Sequence, residues 1–293
     1  GRLIIPIRDR WGHLVSFAAR DLSGKAEDSE KYLYMKGTDK ARLVVFGLDE
    51  ALRKKADFLV LVEGVLDVVN LQVLGFPNVA AIGGAGESMK PEKWERLAAF
   101  GVSRVVLALD NDEAGRAGTL KALENVRKVR NGGNVPVVDV LPPERLAPYK
   151  DPDALVREKG LDAFRALLDK REPASLYLGK DLLGNVTPDS PALDRQAAAH
   201  KVATMIDRGG LDAFEVVDLL SLVEERTGYP LDALEDVVKT HEERRVQEEG
   251  RKTLAREAAT AAAELKAGGD LLDVAARLGK AVDVVKVKTV VDE

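Results

Sequence analysis

The sequence predicts an α/β fold: a parallel sheet flanked by helices, preceded by a short N-terminal β segment and followed by an all-helical region. Three observations predict it. Phe58 to Val62 and Arg104 to Leu109 are short, uninterrupted apolar runs rich in Val and Leu, which suits strands buried on both faces. Each run is followed by a segment with helical spacing, and alternating strands and helices argue for right-handed crossovers in one sheet. Beyond Glu172 the strand-like runs stop and only helical patterns remain.

In chain order, Leu3 to Ile7 and His13 to Phe17 read as two short strands joined by a turn that ends in Gly12, a hairpin whose second strand extends through Arg20. Ser23 to Glu30 is polar and reads as a loop. Lys31 to Thr38, an aromatic pair bracketed by Lys31 and Lys36, reads as an edge strand whose lysines face solvent or a nucleotide. Leu43 to Phe46 is a strand candidate and Gly47 to Ala56 a short helix. After the strand at 58–62 comes a helix at about 66–74 closed by Gly75, then a strand at 79–82. The glycine-rich run from Gly83 to Ser88 lacks the spacing of the nucleoside-triphosphate lysine motif and reads as an ordinary turn. Pro91 opens a helix that reaches about Phe100, since proline suits the first helical turn. The strand at 104–109 leads into a helix at 113–130, ended by Asn131-Gly132-Gly133. Val135 to Val140 is the last strand, and its Pro136 predicts a sheet edge. Asp151-Pro152 starts a short helix ending near Gly160, with the acid as N-cap and proline at the first helical position. Asn185 to Pro191 reads as a linker, and Gly209-Gly210 and Gly228 to Pro230 as turns between helices. The expected division is a basic β-rich segment at 1–56, an α/β domain at 57–172 and a helical region at 173–293.

Composition narrows the class. At 293 residues and 45% hydrophobic content the chain can bury a substantial core. With no cysteine and three scattered histidines, His13, His200 and His241, neither a disulfide framework nor a cysteine-based zinc site is expected. No stretch has the apolar length of a membrane span and the start lacks a signal-peptide layout, so a cytoplasmic setting is expected. The start at Gly1 suggests a fragment or processed product. The net charge of −5 is unevenly divided: residues 1–56 hold twelve Lys/Arg against eight Asp/Glu, a surplus of +4, leaving −9 for the rest. The N-terminal segment is therefore the candidate phosphate-facing surface.

The chemistry is concentrated where strands end. The run at 58–62 passes into Glu63-Gly64-Val65-Leu66-Asp67, and the run at 104–109 into Asp110-Asn111-Asp112. In an open parallel sheet the C-terminal strand ends share one edge, where ligands bind, so Glu63, Asp67, Asp110 and Asp112 are expected to converge. Carboxylates held together repel, and a hard divalent cation such as Mg²⁺ or Mn²⁺ compensates them with all-oxygen ligands.

These residues resemble a known family. Glu63 to Asp67 and Asp110-Asn111-Asp112-Glu113-Ala114-Gly115 are similar to the two signature motifs of the TOPRIM domain of bacterial primases, topoisomerases and some nucleases. Three further stretches resemble bacterial DnaG-type primases and their phage relatives: Arg2 to Asp9 with Gly12 and Phe17 to Arg20, then Lys31-Tyr32-Leu33, then Lys150-Asp151-Pro152-Asp153 with Gly160. The resemblance spans roughly residues 1–170. It implies a TOPRIM fold and a DNA-directed RNA polymerase that makes short RNA primers on single-stranded DNA from ribonucleoside triphosphates. It also implies that Glu63, Asp67, Asp110, Asp112, Asp151 and Asp153 bind Mg²⁺ or Mn²⁺, with Glu63, Asp110 and Asp112 catalytic. Arg2, Arg20, Lys31 and Lys40 are implied to contact nucleotide or DNA, and a replicative helicase is a partner for the C-terminal helical region. Departures from the family are Tyr34 in place of asparagine, Asn111 in place of glycine, a short stretch between Thr38 and Gly47, and the absence of a cysteine-bearing zinc domain. A TOPRIM nuclease using the same acids and a non-catalytic DNA- or helicase-binding module are the alternatives.

Overall fold

A computed structural model describes residues 1–24, 32–34, 45–55, 57–82, 89–130, 133–208 and 210–266. The chain divides into two compact units, Gly1–Asp181 with Gly209–Leu219, and Leu182–Arg208 with Leu220–Glu293.

The first unit holds both sheets. β1 (Arg2–Arg8) and β2 (Leu14–Asp21) form the expected antiparallel hairpin, and β3 (Tyr32–Tyr34) pairs with β2 as the outer strand of this three-stranded sheet. Gly12, at φ 87°, supplies the left-handed turn between the first two strands. Of the strand expected at 43–46 only residues 45 and 46 are among those described. There Phe46 makes a single antiparallel bridge to Ala81 before α1 (Leu48–Arg53) begins.

The second sheet has five strands in the order β5-β4-β6-β7-β8. β4 (Leu59–Val62), β5 (Val79–Ala81), β6 (Arg104–Leu107) and β7 (Val137–Val140) are mutually parallel. All four residues of β4 are buried because helices cover both faces, and the period-2 alternation of a strand sends neighbours to opposite sides. Val60 and Val62 pack with Val68 and Leu71 of α2 (Val65–Val73), Val156 of α5 (Pro152–Lys159) and Phe164 of α6 (Leu161–Leu168). Leu59 and Leu61 pack with Trp94 and Leu97 of α3 (Pro91–Ala99) and Leu123 and Val126 of α4 (Glu113–Arg130).

One expectation is corrected at the sheet edge. β7 is an interior strand, because β8 (Glu172–Pro173) pairs antiparallel on its outer side. Pro136 lies just before β7 and removes no ladder hydrogen bond, whereas Pro173 sits on the true edge, where proline is tolerated. A two-residue strand has no periodicity to detect. Asp139 of β7 is nonetheless anchored there, accepting hydrogen bonds from Arg104 Nη1 at 2.7 Å and Arg171 Nε at 3.1 Å.

Beyond β8 the described chain is helical: α7 (Ala174–Leu183), α8 (Ala192–Arg208), α9 (Ala213–Thr227) and α10 (Leu231–Lys266). Within the second unit, Arg195 Nη1 donates to Thr227 O at 2.7 Å and Arg226 Nε to Val186 O at 2.9 Å. These bonds tie the turns before α8 and after α9 together. No described helix is long and apolar enough to cross a membrane.

Candidate metal centre

Three strand exits deliver acids to one edge. Glu63 directly follows β4, and Asp67 lies in the first turn of the helix that continues from it. Asp110 and Asp112 follow β6, while Asp151 and Asp153 open α5 after the connection from β7. Each helix start explains why its acid is held. Asp67 Oδ2 accepts from Gly64 N at 3.1 Å, Asp112 Oδ1 from Gly115 N at 2.9 Å and Asp151 Oδ1 from Ala154 N at 2.6 Å, all satisfying amides that a helix N-terminus leaves unpaired. The backbone crowds where it holds Asp110: a Cβ on Gly115 would stand 2.1 Å from Asp110 O, so only glycine fits there.

Asp67, Asp151 and Asp153 come closest together. One carboxylate oxygen from each lies within 4.8 Å of the others. Asp153 is buried, with Oδ1 accepting from Asn70 Nδ2 at 3.1 Å and Oδ2 paired with Arg157 Nη2 at 3.0 Å. Beside this trio, Lys150 Nζ stands 3.5 Å from Asp110 Oδ2 and 3.8 Å from Asp112 Oδ2. Asn111 locks the Lys150 backbone in place, its N donating to Lys150 O at 2.6 Å and its Nδ2 to Tyr149 O at 3.3 Å.

The electrostatics are those of crowded carboxylates. Burial first, then Asp151, Asp110 and Asp153, push the Asp67 carboxyl up to about 7, against the helping hydrogen bond from Gly64. Burial, followed by Asp110 and Asp112, also raises Glu63, with Lys150 opposing. Asp110 is raised by burial and by Asp151 and Asp112, although Lys150 pulls it down. Lys150 is correspondingly raised, chiefly by Asp110. Asp110 Oδ1 is buried and has no hydrogen-bond partner among the described residues. Like charges that cannot all ionise and an unsatisfied buried carboxylate oxygen fit a divalent cation bound by oxygen ligands.

Of the residues singled out in the sequence, the six acids are brought to this edge. Arg2 and Arg20 lie on the three-stranded sheet, where Arg2 Nη1 donates to Ala19 O at 3.4 Å and Arg20 Nη1 to the Tyr32 hydroxyl at 2.5 Å. Lys31, Lys40 and the glycine-rich run at 83–88 lie outside the described residues. Three neighbours of the acids had no role assigned from the sequence: Lys150, although it opens the Lys150-Asp151-Pro152-Asp153 motif, Asn70 and Arg157. Two had a signal, since Asn70 is three residues after Asp67 and Arg157 four after Asp153, which puts each on its acid's side of a helix.

Residues 60–156 match the family model described as Toprim-like, a stretch that contains all six acids. The domain has the TOPRIM fold. The expected parallel sheet flanked by helices is present, with the antiparallel β8 added at its edge. Around this TOPRIM domain the chain is 31% identical over 182 residues to the DNA primase of Thermotoga maritima, which covers 61% of the chain but only 30% of that primase. A crystal structure of a DNA primase domain from Pseudomonas aeruginosa superposes with a TM-score of 0.62 at 28% identity, covering 81% of this chain and 72% of that one. A DnaG primase catalytic domain bound to single-stranded DNA matches with a TM-score of 0.62 at 26% identity, over 78% of this chain and 69% of its own. The chain therefore resembles bacterial DnaG-type primases in sequence and in fold, and spans about a third of the length of the relative from Thermotoga.

Proposed function

We propose that this chain is the catalytic part of a DNA primase, joining ribonucleotides into short RNA primers on a single-stranded DNA template. The observation that carries the reading is the convergence of Asp67, Asp151 and Asp153 within 4.8 Å, beside Glu63, Asp110 and Asp112, at the C-terminal edge of a primase-like sheet. A purely structural sheet gains nothing from gathering acids whose charges repel.

In this reading Asp67, Asp110, Asp112, Asp151 and Asp153 hold Mg²⁺ or Mn²⁺, and Glu63 either joins them or serves as general base. The bound ion supplies charge stabilisation on the phosphoryl and leaving oxygens. The 3′-hydroxyl oxygen of the primer bonds to the α-phosphorus of the incoming ribonucleoside triphosphate, the bond from that phosphorus to the bridging oxygen breaks, and pyrophosphate leaves. Where Glu63 serves as base rather than ligand, it takes the hydroxyl proton. The exposed Lys150 ammonium, 3.5 Å from Asp110 Oδ2 and 3.8 Å from Asp112 Oδ2, offsets part of the negative charge there. Arg2, Arg20, Lys31 and Lys40 are assigned to template and nucleotide phosphates, which binding to single-stranded DNA requires. The C-terminal helical region is assigned to protein contacts, a replicative helicase being the partner the resemblance implies.

The test is primer synthesis with labelled ribonucleotides, single-stranded DNA and Mg²⁺ or Mn²⁺, comparing the chain with Glu63→Gln. Oligoribonucleotides from the parent and none from the variant support the proposal. Loss of the DNA itself, without added nucleotides, replaces it with a TOPRIM nuclease. Neither product, with Mn²⁺ binding intact, overturns polymerisation for this chain and leaves a DNA-binding role.

A further inference from the structure

The second unit carries a pair of groups that the acidic centre does not use. His200 on α8 and His241 on α10 meet with Nδ1 and Nε2 3.0 Å apart, ring centroids 5.3 Å apart and ring planes at 50°. Their backbones are held in register by an ion pair farther along the same two helices. There Arg245 Nε donates to Asp207 Oδ1 at 2.7 Å, and the Asp207 side chain is only 4% exposed. Asp207 follows His200 by seven residues and Arg245 follows His241 by four, so each pair shares a helix face. Behind the second ring, Thr204 Oγ1 stands 3.5 Å from His241 Nδ1, while its hydroxyl donates to His200 O at 2.8 Å. His200 itself is exposed, so the junction is open to water.

Without a ligand, two neutral imidazoles in this arrangement share one proton, one ring donating and the other accepting. Moving the proton of one ring to its far nitrogen leaves two lone pairs facing each other across the 3.0 Å gap, and a turn of the rings about their side-chain bonds is needed to aim both at one ion beside that line. An ion at the usual ~2.0–2.1 Å from each nitrogen would see two donors 3.0 Å apart at about 95°. That is the angle between neighbouring positions of a square-planar or octahedral complex and is narrower than a tetrahedral site needs, which favours Cu²⁺ or Ni²⁺ over structural zinc. Water can fill the remaining positions on the exposed side. Burial first, then His200, Arg244 and Arg208, lower the proton affinity of His241, with Asp207 opposing, and a metal ligand must shed that proton. The two arginines also weaken attraction for a dication, and Asp207 partly offsets them.

We propose that His200 and His241 form a bis-imidazole site for a divalent transition ion of the Ni²⁺ or Cu²⁺ class, which clasps α8 to α10. The acidic centre, built of oxygen donors for hard cations, is separate from it in chemistry.

The experiment is calorimetric titration of the untagged, metal-stripped chain with Ni²⁺ in excess Mg²⁺, which occupies the acidic centre. It is run beside His200→Asn, His241→Asn, His13→Asn and Asp67→Asn, with circular dichroism confirming that each is folded. One saturable equivalent is expected in the parent, weakened at least tenfold in the His200 and His241 variants and unchanged in the other two. Ni²⁺ should also raise the melting temperature of the parent and leave those of the two weakened variants where they were, because a ligand that binds only the folded state stabilises it. With Cu²⁺, the paramagnetic resonance spectrum should show coupling to two nitrogens. No saturable equivalent in the parent, an equivalent that survives in both His variants, or one lost with His13 or Asp67 would each overturn the assignment.

Discussion

Asn70 Nδ2 donates to Asp153 Oδ1 at 3.1 Å, joining α2 to the first turn of α5 across 83 residues of sequence. The bond aims a buried carboxylate at Asp67 and Asp151 without adding another charge. Replacing Asn70 with leucine leaves that oxygen unpaired in a buried position, a loss of about 1–3 kcal/mol. Urea unfolding should show a stability loss of that size, and Mn²⁺ titration a weaker site. Unchanged Mn²⁺ affinity would mean that Asn70 serves the fold alone.

The pH dependence of the metal-free protein follows from Asp67, whose carboxyl is raised to about 7 from an ordinary value of 3.8. Below about pH 4 the group is protonated whether the chain is folded or not. Between about 4 and 7 only the folded state holds the proton, so stability falls as pH rises through this window, and above about 7 the loss is complete. Glu63 and Asp110, also raised, act in the same direction. At ~1.4 kcal/mol per pH unit the Asp67 contribution amounts to a few kcal/mol at most. Asp67→Asn should therefore melt higher than the parent at pH 8 in a chelator, with the gap closing toward pH 4 and reversing when Mn²⁺ is added. Parallel melting curves across that range would assign the titration to another group.

Gly115→Ala tests how tightly the turn before α4 is built. The added methyl would meet Asp110 O at 2.1 Å and Asp110 C at 2.8 Å, and backbone atoms cannot rotate away as a side-chain tip can. The expected cost is about 1–3 kcal/mol of stability, as for overpacking elsewhere. Mn²⁺ affinity should fall as well, because the chain shift moves Asp110. A variant with parental stability and affinity would show that the turn relaxes freely.

Asp139→Ala separates fold from site. Asp139 is buried and receives both Arg104 and Arg171, so its removal takes a partner from two partly exposed guanidinium groups, Arg171 keeping its bond to Leu168 O. A stability loss of about 1–2 kcal/mol is expected, since both arginines keep access to water. At a temperature where the variant stays folded, Mn²⁺ binding should match the parent, since Asp139 makes no contact with the six acids.

The strands of the TOPRIM sheet and the positions of its acids were readable because both are local. An apolar run such as Leu59–Val62 is strand-like wherever it occurs, and an acid just past its end lies on the ligand edge once the sheet is parallel. The N-cap role of Asp151 was equally visible, because capping involves only the next three residues. β8 escaped notice because Glu172–Pro173 becomes a strand only by pairing with β7, and that pairing also turned β7 from an expected edge into an interior strand.

Sequence alone thus determined the α/β class, the order of the elements other than β8 and the four carboxylates at the exits of β4 and β6, with Asp151 and Asp153 added by the family resemblance. Tertiary structure decided which of them stand closest: the trio is Asp67, Asp151 and Asp153, with Lys150 set against Asp110 and Asp112. It also decided that two histidines 41 residues apart share a bond. The physical reason is distance along the chain. Propensity, capping and burial pattern act over a few residues, whereas the charge and hydrogen-bond environment of a side chain depends on whatever the packed helices bring beside it.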